Sequence, residues 1–313
     1  MKFGKFHLLK KVQEFIQKYI NLGDDAIPSR VFIKNEEGTP IDHIKKYVNL
    51  LHDHTKRNVV IYYSGWLYMS SDLPVGINDL DMNGFMAMFY GLDSSKGLDL
   101  ILHTPGGDVA ATEAIITYIY KKFNGDVRAI IPQLAMSGGT MIACSCKEII
   151  MGKQSSLGPI DPQFKNLPAQ GVLNEFEKAK QEIYDNPSCI PLWQLIIKHY
   201  TPTLLGSCQN GIDWANEIFE GSLSRNMLKG ESEEHIKKVV KLFSSQDNTK
   251  AHDRHLSIDK CREYGLNVSS LEKDNVLQDY VLSIHHSCME LFEQSSPLKI
   301  FCNQFSEFLF FSK

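Results

Sequence analysis

Two glycine pairs are the residues of this chain best suited to chemistry. Gly106 and Gly107 follow the apolar run "GLDLIL", and Gly138 and Gly139 stand directly behind Ser137 in "AMSGGTMIACSC". A glycine at a strand-to-helix turn leaves backbone N–H groups unobstructed, and the helix N-terminus adds a favourable potential for negative charge. Such N–H groups can bind a phosphate, a carboxylate or the oxyanion of a tetrahedral intermediate. The first pair, "PGGD", fits neither the Walker A spacing nor GxGxxG.

Ser137 has two interpretations from its position alone. It lies between the predicted strand "DVRAIIP" and a predicted helix of small residues. A serine at such a turn directs its hydroxyl out of the sheet, as a nucleophile elbow requires. Serine is also a favoured N-cap residue, so Ser137 could simply cap the helix.

The elements around these turns predict a largely parallel sheet. Strands are indicated by four apolar runs: "RNVVIYYSGW", "GLDLILHT", "DVRAIIPQ" and "KEIIMG". Helical patterns separate them, and Asp108 stands at the start of one as a predicted cap. Alternation of strands and helices from about 57 to 152 is typical of βαβ units in an α/β fold.

The rest of the chain is predicted to be mostly helical. We expect a helical N-terminal segment over 1–55, an α/β core over 56–165, and a mostly helical region over 166–313 that packs on the core. The predicted helices of the third region are "LNEFEKAKQEIYD", "PLWQLIIKHY", "ESEEHIKKVVKLF" and "DNVLQDYVLSIHHSCMELFEQ". Their apolar residues recur at helical spacing.

The composition argues against nucleic-acid binding, a transmembrane helix and a zinc site. The 313 residues carry a net charge of −4, which argues against a nucleic-acid surface. No apolar run approaches the length of a transmembrane helix. The seven scattered cysteines form no CxxC pair, so we expect mostly buried structural thiols, no zinc, and a cytoplasmic setting. Residues 1–20 predict an amphipathic helix for docking, oligomer contact or peripheral membrane contact.

Three long stretches carry a family resemblance. They are "LDLILHTPGGDVAATEAI", "AMSGGTMIACSCKEIIMGKQSSLGPIDPQ" and "AHDRHLSIDKCREYGLNV". Together they resemble the serine dehydrogenase proteinase family, whose members are distant relatives of the Clp protease and signal peptide peptidase A folds. The resemblance covers most of 57–282 and is strongest over 98–163. It implies a Clp/crotonase-like α/β core with a mostly parallel sheet and with helical N- and C-terminal elaborations.

The resemblance also implies roles for the glycine turns. It implies that Ser137 is the nucleophile, that Gly106 or Gly107 supplies an oxyanion-hole N–H, and that Gly138 adds a second one. The order Ser, Asp, His that it implies makes His252 of "AHDRH" the base and Asp161 its orienting carboxylate.

Alternatives to His252 remain open at this point. His255 lies three residues further on and could share a helical face with it. A lysine base, as in the signal peptide peptidase pattern, would come from Lys178, Lys180 or Lys198. The two histidines of "HDRH" lack a marked third ligand, so we expect no metal and no cofactor.

The combined prediction is a serine hydrolase, most simply a peptidase, that acts on polypeptide or another acyl substrate. The resemblance implies assembly into a homo-oligomer. Two other functions stay open: a crotonase-type acyl-CoA enzyme that uses the oxyanion hole alone, and a non-catalytic oligomeric scaffold of the same fold.

Overall fold

The computed structural model describes residues 38–70, 72–164, 167–245 and 251–312. The helix predicted over residues 1–20 lies outside these ranges. Within them, no helix is both long enough and apolar enough to cross a bilayer.

The elements follow the predicted alternation. The helices are α1 (Pro40–Thr55), α2 (Leu80–Phe89), α3 (Val109–Phe123), α4 (Gly138–Ser145), α5 (Ala169–Asp185), α6 (Ile190–Ile197), α7 (Leu204–Arg225), α8 (Glu233–Ser244), α9 (Ile258–Glu263) and α10 (Asn275–Ser295). The strands are β1 (Asn58–Ser64), β2 (Leu98–His103), β3 (Val127–Ile131), β4 (Leu134–Ala135), β5 (Glu148–Met151), β6 (Ser156–Leu157), β7 (Gln163–Phe164), β8 (Leu167–Pro168), β9 (Leu256–Ser257), β10 (Val268–Ser270), β11 (Lys299–Asn303) and β12 (Phe308–Phe311).

A seven-stranded sheet forms the centre of the molecule, in the order β10-β5-β3-β2-β1-β11-β12. The strands from β10 to β1 pair in parallel, whereas β11 and β12 pair antiparallel. This mostly parallel sheet between helices confirms the predicted α/β fold class.

Both faces of the sheet are buried, which explains the continuous apolar runs. Side chains alternate across a strand, so Val60 and Tyr62 pack toward α2, α3, α4, α7 and α8. Val59, Ile61 and Tyr63 pack on the opposite face against α1 and α10. All seven cysteines are free thiols and all except Cys189 are buried, as the composition predicted.

Several parts of the fold were not predicted. They are helices α7 and α9, the short strands β4 and β6 to β9, strand β10, and the antiparallel pair β11 and β12. The division at residues 55 and 165 stays a prediction.

Candidate active site

A short pairing beyond the end of β2 brings the two glycine turns together. The Thr104 N–H donates to the Leu134 carbonyl (3.1 Å), and the Met136 N–H donates to the Thr104 carbonyl (2.9 Å). A Cβ placed on Gly106 would lie 2.6 Å from the Ser137 Cβ and 2.7 Å from the Gly138 nitrogen. The first turn is therefore in direct contact with the second, and the contact has no room for a side chain.

Ser137 has an unusual backbone and an unused hydroxyl. Its φ of +50° and ψ of −116° lie outside the regions that L-residues commonly adopt. It occupies the N-cap position of α4, yet its side chain makes no capping hydrogen bond. Among the described residues, nothing else forms a hydrogen bond with its hydroxyl. Strain at a residue without a structural bond is typical of a functional position.

Two backbone N–H groups beside Ser137 have no acceptor in the described part of the chain. They belong to Gly107 and Gly138, and a Cβ on Gly138 would lie 3.5 Å from the Gly107 nitrogen. The Gly106 N–H instead donates to Thr104 Oγ1 (3.2 Å). Gly106 therefore shapes the turn, with a φ of +89°, while the two unoccupied donors are Gly107 and Gly138.

A small three-stranded sheet, in the order β4-β6-β9, holds the other candidate side chains. Strands β6 and β9 are antiparallel, and Leu157 is paired with Leu256. Asp161 follows Leu157 by four residues and His252 precedes Leu256 by four, so the same register places them opposite each other.

Asp161 and His252 are joined by a hydrogen bond. The distance from His252 Nδ1 to Asp161 Oδ1 is 2.9 Å. The Asp161 side chain is 5% exposed and that of His252 is 29% exposed. The Gln163 side-chain amide also donates to Asp161 Oδ2 (3.3 Å). With Nδ1 bound to the carboxylate, Nε2 is the ring nitrogen left for proton transfer.

Thr140 links the serine turn to the segment that carries Asp161. Its Oγ1 accepts from the Gly158 N–H (2.9 Å) and lies 2.8 Å from the Ala135 carbonyl. Thr140 is on α4, directly after the glycines, and is fully buried. This contact fixes the distance between α4 and the chain that leads to Asp161.

Ser137 and His252 line one cavity of about 570 Å³. Its walls also include Gly106, Gly107 and Gly138. The apolar and aromatic part of the wall comes from Val109, Met141, Ile160, Phe164 and Trp214. A cavity of this size with a few polar groups is typical of a ligand-binding site.

The other candidate bases lie away from this cavity. His255 is exposed, as are Lys178, Lys180 and Lys198. Lys180 is paired with Glu177 (2.6 Å) on the surface of α5. None of the four contributes to the cavity wall. Within the described ranges, no group of three or more His, Cys, Asp or Glu side chains could hold a metal ion.

Sequence reasoning missed the aromatic wall. Trp214 lies on α7, and its Nε1 donates to Glu113 on α3 (3.1 Å). Gly211, one turn earlier, packs against the Phe164 ring, because a Cβ there would lie 2.9 Å from it. The helical spacing of the apolar residues in "GIDWANEIF" was the available signal.

Comparisons with known proteins find curated relatives and a matching family model. Two proteins of Methanocaldococcus jannaschii, uncharacterized proteins MJ0137 and MJ1495, are 30% and 31% identical to this chain over 200 and 175 residues. The aligned parts are 64% and 55% of this chain, but only 59% and 52% of the relatives' own lengths. The family model for the ClpP-like SDH-type serine proteinases matches residues 92–299, which is more than half of the chain. The chain therefore belongs to the family of ClpP-like SDH-type serine proteinases.

Proposed function

We propose that the protein is a serine peptidase that works through an acyl-enzyme on Ser137. The observation that carries this proposal is the shared cavity. An unbonded serine hydroxyl and a histidine already hydrogen-bonded to a buried carboxylate line the same space. Nucleophile, base and orienting acid are the three parts that acyl transfer requires.

The reaction has two halves. The Ser137 oxygen attacks the substrate carbonyl while its proton passes to His252 Nε2, and Asp161 stabilises the imidazolium. The N–H groups of Gly107 and Gly138 bind the oxyanion of the tetrahedral intermediate. His252 then gives the proton to the leaving amine, the C–N bond breaks, and an ester to Ser137 remains. Water, deprotonated by His252, attacks that ester and releases the acid, and the proton returns to Ser137.

The positive φ of Ser137 fits the same role. A nucleophile on a tight turn projects its hydroxyl beyond the sheet, where a substrate carbonyl can reach it. The apolar wall formed by Phe164 and Trp214 would bind an apolar part of the substrate in the same cavity as Ser137. Polypeptide is the substrate class we propose, and a homo-oligomer is the proposed assembly. The residues expected to contribute membrane contact, 1–20, lie outside the described ranges.

The test is covalent labelling with a fluorophosphonate probe, read as the intact mass of the protein. We expect one adduct per chain, and peptide mapping should find it on Ser137. A heat-denatured sample is the control, because an unfolded serine has no activated oxygen and should not react. No adduct on folded protein, or an adduct at a different serine, would contradict the proposal.

Gly106→Ala should separate the two turns. The new Cβ would lie 2.6–2.7 Å from Ser137 and Gly138, so the serine and one oxyanion donor must move. Losing one such donor lowers kcat by about 10²–10³-fold, and we expect a loss of that order. The measurement is kcat/KM on a fluorogenic peptide or an activated ester.

Gly91→Ala is the matched control for Gly106→Ala. Gly91 also has a positive φ (+73°), but a Cβ there would meet no atom within 4 Å. The control should lose about 1 kcal/mol of stability through backbone strain and keep its kcat/KM. Equal activity of the two variants would show that the contact between the turns is unimportant.

A further inference from the structure

A short segment, residues 75–78, lies against the first glycine turn; we call it the strap. The Ile77 N–H donates to the Gly106 carbonyl (2.7 Å), and the Asp108 N–H donates to the Ile77 carbonyl (2.8 Å). A Cβ on Gly107 would lie 2.2 Å from the Ile77 nitrogen, so the two backbones are in contact. The strap is thus hydrogen-bonded to the residues on both sides of Gly107.

A buried ion pair anchors the strap. Lys299 Nζ donates to both carboxylate oxygens of Asp81 (2.8 and 2.7 Å) and to the Gly76 carbonyl (2.7 Å). Asp81 in turn accepts from the Asn78 N–H (2.9 Å) and from the Tyr62 hydroxyl (3.0 Å). The pair therefore binds the backbone of the strap at two points.

Stability alone does not explain such a pair. The Lys299 side chain is 2% exposed and that of Asp81 is 0% exposed. Burial lowers the pKa of Lys299, and only the nearby Asp81 opposes this shift. Taking two charges out of water is costly, and apolar residues of similar volume often serve the fold equally well. What apolar residues cannot do is bind the Gly76 carbonyl and the Asn78 N–H.

The geometry of one peptide unit gives these bonds a consequence for the site. The Gly106 carbonyl and the Gly107 N–H belong to the same planar peptide group, and no cis peptide bond occurs in the described residues. In a trans unit the C=O and N–H point in opposite directions. Because Ile77 holds the carbonyl on the strap side, the Gly107 N–H must face away from the strap.

We propose that Asp81 and Lys299 are positioning residues that fix the strap and thereby the direction of the Gly107 N–H. The role is indirect, since neither side chain lines the cavity. It rests on the proposed function in one respect, namely that the Gly107 N–H binds an oxyanion. The strap itself is a structural claim that can be measured without any turnover.

The first measurement is hydrogen–deuterium exchange in Lys299→Met. In the natural protein the amides of Ile77 and Asp108 are hydrogen-bonded and should exchange slowly. In the variant we expect the segments around them to exchange faster by about tenfold or more, because the local opening free energy falls.

A double variant controls for misfolding of Lys299→Met, which leaves the buried charge of Asp81 unpaired. Asp81→Leu combined with Lys299→Met leaves no unpaired buried charge, so it should fold. It still removes both bonds to the strap, and the same acceleration of exchange is expected. A folded double variant with the exchange of the natural protein would overturn the proposal.

The second measurement is steady-state kinetics on the same variants. A misdirected oxyanion donor weakens the transition state more than the ground state, so kcat should fall by about 10–100-fold while KM stays within about twofold. Faster exchange combined with an unchanged kcat would also overturn the positioning role.

Asp99→Asn is the matched control. Asp99 is also fully buried and bonded to cations, at 2.9 Å from Arg57 and 2.7 Å from Arg128. It lies at the start of β2, at the opposite end of that strand from Gly106. The control should lose stability without faster exchange at the strap and without a change in kcat. If the natural protein neither turns over peptides nor takes up the fluorophosphonate, the proposed function fails, and exchange still decides the role of the strap.

Discussion

Ser137→Ala should lower kcat/KM on a peptide or activated ester by about 10⁴–10⁶-fold, because it removes the attacking oxygen. The fold should survive, since the Ser137 side chain caps nothing. We expect a change of no more than about 0.5 kcal/mol in the free energy of unfolding. Steady-state kinetics give the loss in kcat/KM, and thermal or urea unfolding of the same preparation gives the change in the free energy of unfolding.

Ser137→Gly separates the loss of activity from the effect of backbone strain at this position. The φ of +50° at this position is strained for serine but ordinary for glycine. The glycine variant should therefore be equally inactive yet more stable than the natural protein by up to about 1 kcal/mol. If Ser137 were instead an N-cap, the alanine variant would lose about 1 kcal/mol and keep its activity.

His252→Ala should be the next most damaging change, with a loss of about 10⁴-fold or more in kcat/KM. Without the imidazole, Ser137 loses the base proposed for its proton, and Asp161 has nothing to orient. Fluorophosphonate labelling should slow in parallel, because the probe also needs an activated oxygen. Both rates are measured at neutral pH on protein shown to be folded.

His255→Ala is the control for His252→Ala. It removes an exposed imidazole three residues away, in the same segment, and should leave both rates unchanged. A large loss in His255→Ala with little effect in His252→Ala would reassign the base. Loss in Lys198→Ala alone would favour the lysine mechanism.

The sheet was predictable because both of its faces are buried. The run from Val59 to Tyr63 consists of β-branched and aromatic residues without a charge, which is typical of a strand covered on both sides. Helix α7 was not predicted because it contains three glycines, Gly206, Gly211 and Gly221, and glycine lowers the helix propensity of a segment. Strand β11 was not predicted because it contains Lys299, and a charged residue is not expected in a buried strand.

The candidate site was predictable only in part. Residue type and position indicated Ser137, but the choice between Gly106 and Gly107 depends on which N–H already has an acceptor, and that is a property of the fold. Asp161 and His252 were paired through a family resemblance, whereas the physical reason is the register of β6 and β9. The strap carries no chemical signature, because it acts through backbone groups that every residue possesses.

The pairing of β6 with β9 also has a consequence for the timing of synthesis. Asp161 and His252 are separated by 91 residues in the chain, and β9 ends at Ser257. A growing chain therefore displays Ser137 and both glycine turns long before the imidazole can reach its carboxylate. Any activity that needs this pair is absent from the nascent chain on the ribosome, and it begins only when the chain through Ser257 has emerged and β9 has paired with β6.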